Sequence, residues 1–387
     1  METKTCFGRF LNNISIMDKI KTYKKSIILI LLLIVSCSLI KIKSVDDNEN
    51  KDVINNKDEP AIITAVGDVV LNLAYMKLIL EDRIKKYGKE NAMSFPFSKA
   101  KKEMTGIVFC NLEAPITNLG FKHISDKDEI FYFSSPGGSE EILKHGGFNV
   151  VSLANNHIMD TGEAGIVDTI KRLKKIDIVP VGVGNNIEEA LKPVYINANG
   201  TVIAIFAFST VIPKSVWAGP DKAGAAGGSN ELLIAAVKKV SSKADAVFVS
   251  IHWGEEAISD SPVKEPEREQ IELAHKLIDA GVACIVGHHS HALGPVERYK
   301  DSIIFYSLGD FVFAGRHSES HTTSIMAQIS LSSSGLESYT LIPVDINPLV
   351  IEYSPEILNE KRGRMVIDRI LSNDLDHKYV DYYEKTK

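Results

Sequence analysis

Cysteine is scarce in this 387-residue chain: four in all, too few for a disulfide framework. Basic residues are not in excess, since 44 Lys and Arg against 50 Asp and Glu leave a formal charge of −6. A nucleic-acid binder would carry a basic stripe, so nucleic acid is excluded as a partner. Aromatic residues make up only 7%. There is no low-complexity tract, no internal repeat, and no apolar run of the roughly 20 residues that cross a hydrocarbon core comfortably. What is present, 44% hydrophobic and 24% charged, is the balance of an ordinary globular protein with a sizeable core.

The N-terminal sixty residues read as something other than fold. Ser26 to Ile40 is an uncharged apolar stretch preceded by Lys19, Lys21, Lys24 and Lys25. That pattern fits a signal-peptide core or a short anchor with its lysines on the cytoplasmic side. Ile34-Val35-Ser36-Cys37 is similar to the lipobox of bacterial lipoproteins, in which the cysteine is lipidated. Two readings stay open: a lipid anchor at Cys37, or an uncleaved signal anchor with an incidental cysteine. Met17 would give the segment a conventional short basic start. Lys41 to Pro60 lacks aromatics and is rich in Asp, Asn, Lys and Glu, the composition of a disordered tether. The expected organisation is therefore anchor 1–40, linker 41–60, globular domain 61–345 and a polar helical tail 346–387, with the protein held at the extracellular face of the cell membrane. Cys110 and Cys284 sit in apolar runs and are expected to be core residues without a bridge.

From Ala61 onward, β-branched runs alternate with amphipathic segments of helical length, which indicates α/β architecture. Strands are predicted at 62–66, 107–111, 150–154, 202–208, 246–252, 283–287 and 302–306, and helices at 72–87, 163–175, 230–242 and 267–280. Two antiparallel strands are predicted at 323–331 and 336–344.

Five of these strands end in polar residues: Gly67-Asp68, Asn111-Leu112-Glu113, Asn155-Asn156-His157 with Asp160, His252-Trp253-Gly254-Glu255-Glu256, and Gly287-His288-His289-Ser290-His291. In an open α/β sheet the carboxyl ends of the strands line one edge, so groups far apart in sequence meet in one crevice. Carboxylate, amide and imidazole delivered together form a ligand set for Mn, Fe or Zn, with no thiolate. Each piece alone has a structural explanation, a turn or a helix cap for Asp68 or Asp160 and a core position for His252. Three imidazoles within four residues are the hardest to explain without a metal or an anion between them. Asp310 after a strand suits a ligand or a turn former. Arg316, His317 and His321 are weaker candidates for the same edge. Trp217 lies in a Gly- and Ala-rich loop, read either as a cover over a site or as a flexible connection.

These motifs, with Pro295-Val296-Glu297 and Ser307-Leu308-Gly309-Asp310-Phe311, together resemble the CapA-like poly-γ-glutamate capsule biosynthesis proteins, a branch of the calcineurin-like metallophosphoesterases. The resemblance covers about residues 60 to 315. It implies a four-layer α/β/β/α sandwich behind an N-terminal membrane anchor, with a divalent metal pair at the strand ends. Carried over residue by residue, it implies Asp68, Glu113, Asn156, His252, His289 and His291 as metal ligands. His157 becomes the acid at the leaving oxygen, and Asp160 orients it. His288, Glu255 and Asp310 are ligands or hydrogen-bonding neighbours of ligands. Two positions depart from the superfamily pattern: Val70 stands where a histidine is usual, and Glu113 replaces the bridging aspartate. The implied partners are membrane-bound capsule polymer synthase or export subunits and an anionic polymer or phosphorylated small molecule. The functions left open are a capsule assembly protein, a freestanding metal-dependent phosphoesterase, and a structural surface module.

Overall fold

The structure, a computed structural model, describes residues 59–71, 73–124, 127, 131–257, 261–313, 321–347, 352–371 and 380–382. The expected anchor, the lipidation candidate Cys37, most of the linker, Arg316 and His317 lie outside them. Among the described residues no helix is long and apolar enough to cross a membrane.

The fold is mixed α/β, with two large sheets and a two-stranded ribbon. The first sheet runs in the order Glu356–Ile357, Gly335–Asp345, Thr323–Ser332, Ala61–Val70, Ile107–Leu112, Val150–Ser152, Val179–Val181. Ala61–Val70 pairs parallel with Ile107–Leu112 and, over its last residues, with Asp310–Phe313. The second sheet runs Val296–Tyr299, Ser302–Phe305, Cys284–His288, Ala246–His252, Thr201–Ser209, Val194–Ala198. Its four central strands are parallel neighbours. Parallel strands need crossovers, and the helices Gly162–Lys175, Asn230–Val240 and Arg268–Asp279 supply them.

Side-chain alternation divides the apolar residues into three layers. Ile63, Ile107 and Phe109 from the first sheet meet Ile203, Phe248, Val286 and Phe305 from the second in a shared core. The next residues along the first sheet, Val108, Cys110 and Val151, face the other way onto Ile142, Ile166 and Leu173 of helices. On the far face of the second sheet, Phe206, Val247, Val249 and Ile285 pack on Leu233, Leu273 and Leu277. Strands buried on both faces read as continuous apolar runs, and for that reason they stood out in the sequence. Arg268–Asp279 begins with a capping box between Glu267 and Gln270, which satisfies donors at its first turn. Cys110 and Cys284 are free and buried, and burial pushes both thiols well above their ordinary pKa.

Two expectations are corrected, for the tail and for the end of the first strand. The tail is not simply polar and helical: Glu360–Leu371 buries Val366, Ile367 and Ile370 in the core shared by the sheets, and Val380–Tyr382 adds a parallel strand beside Gly335–Asp345. The Trp217 segment, read as a cover over a site or a flexible connection, packs on its own loop. Trp217 donates through Nε1 to the Ile212 carbonyl at 3.1 Å, and Val216 is buried beside it. The first strand does not stop at Val66 but continues to Val70 through a register shift, so that Asp68 is held inside the sheet.

Candidate metal centre

Asp68 reaches the centre of the molecule because Gly67 lets two backbones approach. A Cβ on Gly67 would lie 2.0 Å from the Gly309 carbonyl oxygen, and the Asp68 amide donates to that oxygen at 2.9 Å. Asp310 is the parallel-strand partner of Asp68, and Asn111 is its partner on the other side. From the second sheet, His252 and His288 are paired residues at the ends of neighbouring strands. The loop that follows carries His289 and His291 at φ +95° and +57°. These left-handed conformations cost on the order of 1–3 kcal/mol each in side-chain-bearing residues, and such strain clusters at functional sites.

The buried side chains gather into two triads, Glu113 with His252 and His289, and Asp68 with His291 and Asp310. Within each, one ligand atom per residue lies within 4.8 Å of the others. His252 Nε2 is 3.6 Å from Glu113 Oε1, His291 Nε2 is 3.9 Å from the same oxygen, and His291 Nδ1 is 4.0 Å from Asp68 Oδ2. Those separations are too long for hydrogen bonds. They suit donors around a shared cation, whose bonds of about 2 Å set neighbouring ligand atoms about 3–4 Å apart. Asn156 Oδ1 lies 2.8 Å from His252 Nε2, on the side of the Glu113 triad. The donor set therefore fits divalent metal, with Glu113 Oε1 facing imidazoles of both triads.

The electrostatics differ across the centre. Burial pulls the His252 pKa well down, and the neighbouring imidazoles of His289, His288 and His291 lower it further. Burial opposes protonation of His291 too, but Asp310, Asp68 and Glu256 outweigh it and raise its pKa to about 9. Asp68 is fully buried, which by itself would raise its pKa, yet His288, His291 and Asn111 hold it below the ordinary value. Burial raises Asp310 despite the opposing effect of His291, 2.8 Å away.

Beside the triads, His157 Nδ1 lies 2.8 Å from Asp160 Oδ2, and Phe133 stacks obliquely on the His157 ring at 4.2 Å. Asp160 also accepts from Lys127 Nζ at 2.7 Å and from the Phe133 amide at 2.6 Å. His288 is placed next to Asp68, with Nδ1 2.8 Å from Oδ1, outside both triads, and its buried Nε2 makes no hydrogen bond among the described residues. Glu255 is not brought in: it is exposed, and Glu256 is the carboxylate whose charge reaches His291. His321 acts on Asp310 electrostatically from the rim, with Nε2 3.1 Å from the Ser261 carbonyl. Val70 packs with Ala114, Phe133 and Phe313 as an apolar collar, and Asp310 stands beside His291.

Residues 62–315 match the bacterial capsule synthesis protein family PGA_cap. The chain belongs to this family. It is 29% identical over 328 residues to the capsule biosynthesis protein CapA of Bacillus anthracis, covering 83% of this chain and 75% of that protein. It is 30% identical over 302 residues to the PGA biosynthesis protein CapA of Bacillus subtilis (strain 168), covering 77% and 75%. Among solved structures, the NAD nucleotidase of Haemophilus influenzae overlays it with a TM-score of 0.44 at 14% identity, over 84% of this chain and 64% of that one. This chain thus spans less than two thirds of that nucleotidase.

Sequence reasoning missed Lys127 and Asn111 as members of the centre. Asn111 opens the Asn111-Leu112-Glu113 run, and its strand position opposite Asp68 is the available signal. Lys127 had none, since it stands in a loop without periodicity.

Proposed function

We propose that this member of the capsule synthesis family acts in poly-γ-glutamate capsule biosynthesis, export or anchoring at the extracellular face of the membrane. The N-terminal segment tethers it, through lipid at Cys37 or as an uncleaved signal anchor. Membrane-bound synthase or export subunits are its partners. The fold is the four-layer α/β/β/α sandwich of the metallophosphoesterase type, and its crevice engages the anionic polymer or a phosphorylated small molecule. The observation that carries this reading is the pair of buried triads in a chain of this family. Glu113, His252 and His289, with Asn156, would hold one divalent cation, and Asp68, His291 and Asp310 the other. Such a pair would supply charge neutralisation for an oxyanion and an activated water. Production of wild-type amounts of capsule by cells carrying only Glu113→Ala and His252→Ala protein would refute a role for the crevice; the expected result is loss of the polymer.

One observation favours a second reading, that the chain also turns over a phosphate ester. His157 is buried next to Asn156, and its Nδ1 is engaged by Asp160 Oδ2 at 2.8 Å and Lys127 Nζ at 3.1 Å, so in this reading the proton would pass through Nε2. In that reading His157→Ala keeps its metal and loses about 100-fold or more in hydrolysis of a generic phosphodiester. Equal rates in the variant and the wild type would rule His157 out as the acid.

A further inference from the structure

One side chain that belongs to neither triad touches ligands of both. Asn111 Nδ2 donates to Asp68 Oδ1 at 2.9 Å and to Glu113 Oε2 at 3.3 Å, and lies 3.3 Å from His252 Nδ1. The orientation of its amide follows from a second asparagine. Asn155 Nδ2 donates to Asn111 Oδ1 at 3.0 Å and to the Leu112 carbonyl at 2.9 Å, while Asn155 Oδ1 accepts from the His157 amide at 3.2 Å. Backbone groups fix Asn155, Asn155 fixes Asn111, and Asn111 turns its amino group towards the two carboxylates. The oxygens it engages are the outer ones. The opposite oxygens, Asp68 Oδ2 and Glu113 Oε1, are those that face His291 and His252 across the longer gaps.

Resting on the two-cation reading above, we propose that Asn111 is the positioning residue of both metal sites. It clamps one oxygen of one carboxylate in each triad, so both sites depend on the same amide. Hydrogen-bond partners of metal ligands typically contribute 10–100-fold to affinity. A group shared by two sites should therefore weaken both together.

The test is Co2+ titration of the full-length chain in detergent, followed by visible absorption and by total bound cobalt, for wild type, Asn111→Ala, Asn111→Ser and Asn155→Ala. Asn111→Ala is expected to weaken both cobalt equivalents by about 10-fold or more and to alter the absorption bands of each. Asn111→Ser, which keeps a short donor, recovers part of the loss, and Asn155→Ala shows a smaller loss at both sites. Thermal unfolding in excess chelator separates this from misfolding: the metal-free variants should melt close to wild type. If Asn111→Ala does not fold, Asn155→Ala decides, with unchanged affinity counting against the clamp. Wild-type affinity in Asn111→Ala, or loss confined to one equivalent, overturns the proposal while leaving the two-cation reading intact. Absence of cobalt binding by the wild type overturns both.

Discussion

The two triads use the same residue types in opposite proportion. The Glu113 triad has two imidazoles and one carboxylate, drawn from both sheets, whereas the Asp68 triad has two carboxylates and one imidazole. The proton economy follows from that ratio. His252, among other imidazoles, is neutral at pH 7, while His291, between Asp310 and Asp68, holds its proton up to about pH 9 in the metal-free protein. A histidine's readiness to bind metal is thus set by its neighbours, not by its identity.

Substitutions at the two triads should separate them. Asp310→Asn removes a charge from the Asp68 triad alone, so bound metal should fall from about two per chain to about one, read by elemental mass spectrometry. Equal loss at both sites would show that the triads are not distinct. Lowering the pH gives a graded form of the same contrast. A proton on His291 competes with metal at any pH below about 9, whereas His252 is deprotonated already at neutral pH. Affinity at the Asp68 triad should therefore drop first, by up to about tenfold per pH unit for each proton displaced, as pH falls from about 8 to about 6. Calorimetry in two buffers of different ionisation heat would count the protons released. The smallest effect expected is at the collar: Val70→Ala should cost about 1–2 kcal/mol of stability in denaturant unfolding and leave metal content unchanged.

Much of this was legible before the structure, for identifiable reasons. The strands that end at the centre are buried on both faces and run uninterrupted into Asp, Asn, Glu or His, so both strand and ligand candidates stood out. The central helices were equally clear, as for Arg268–Asp279, whose Ile271, Ala274, Leu277 and Ile278 recur at helical spacing after Pro266. Other elements lacked such marks or had theirs overlooked. Val179–Val181 contains Pro180, which argues against a strand unless it lies at a sheet edge, where this one does. The hairpin joining Val194–Ala198 to Thr201–Ser209 turns at Asn199-Gly200, at φ +51° and +82°, a type I′ signature that was present in the sequence. Glu255 and Glu256 were not separable because Gly254, at φ +76°, breaks the strand's two-residue alternation. Lys127 is joined to Asp160 only by tertiary contact, which no local pattern announces.

Metal content of the purified full-length protein, beside Glu113→Ala, tests the central claim most directly, because Glu113 Oε1 faces imidazoles of both triads. The expected result is close to two divalent cations per wild-type chain and at most one retained by the variant. Wild-type protein that binds no more metal than Glu113→Ala would contradict it.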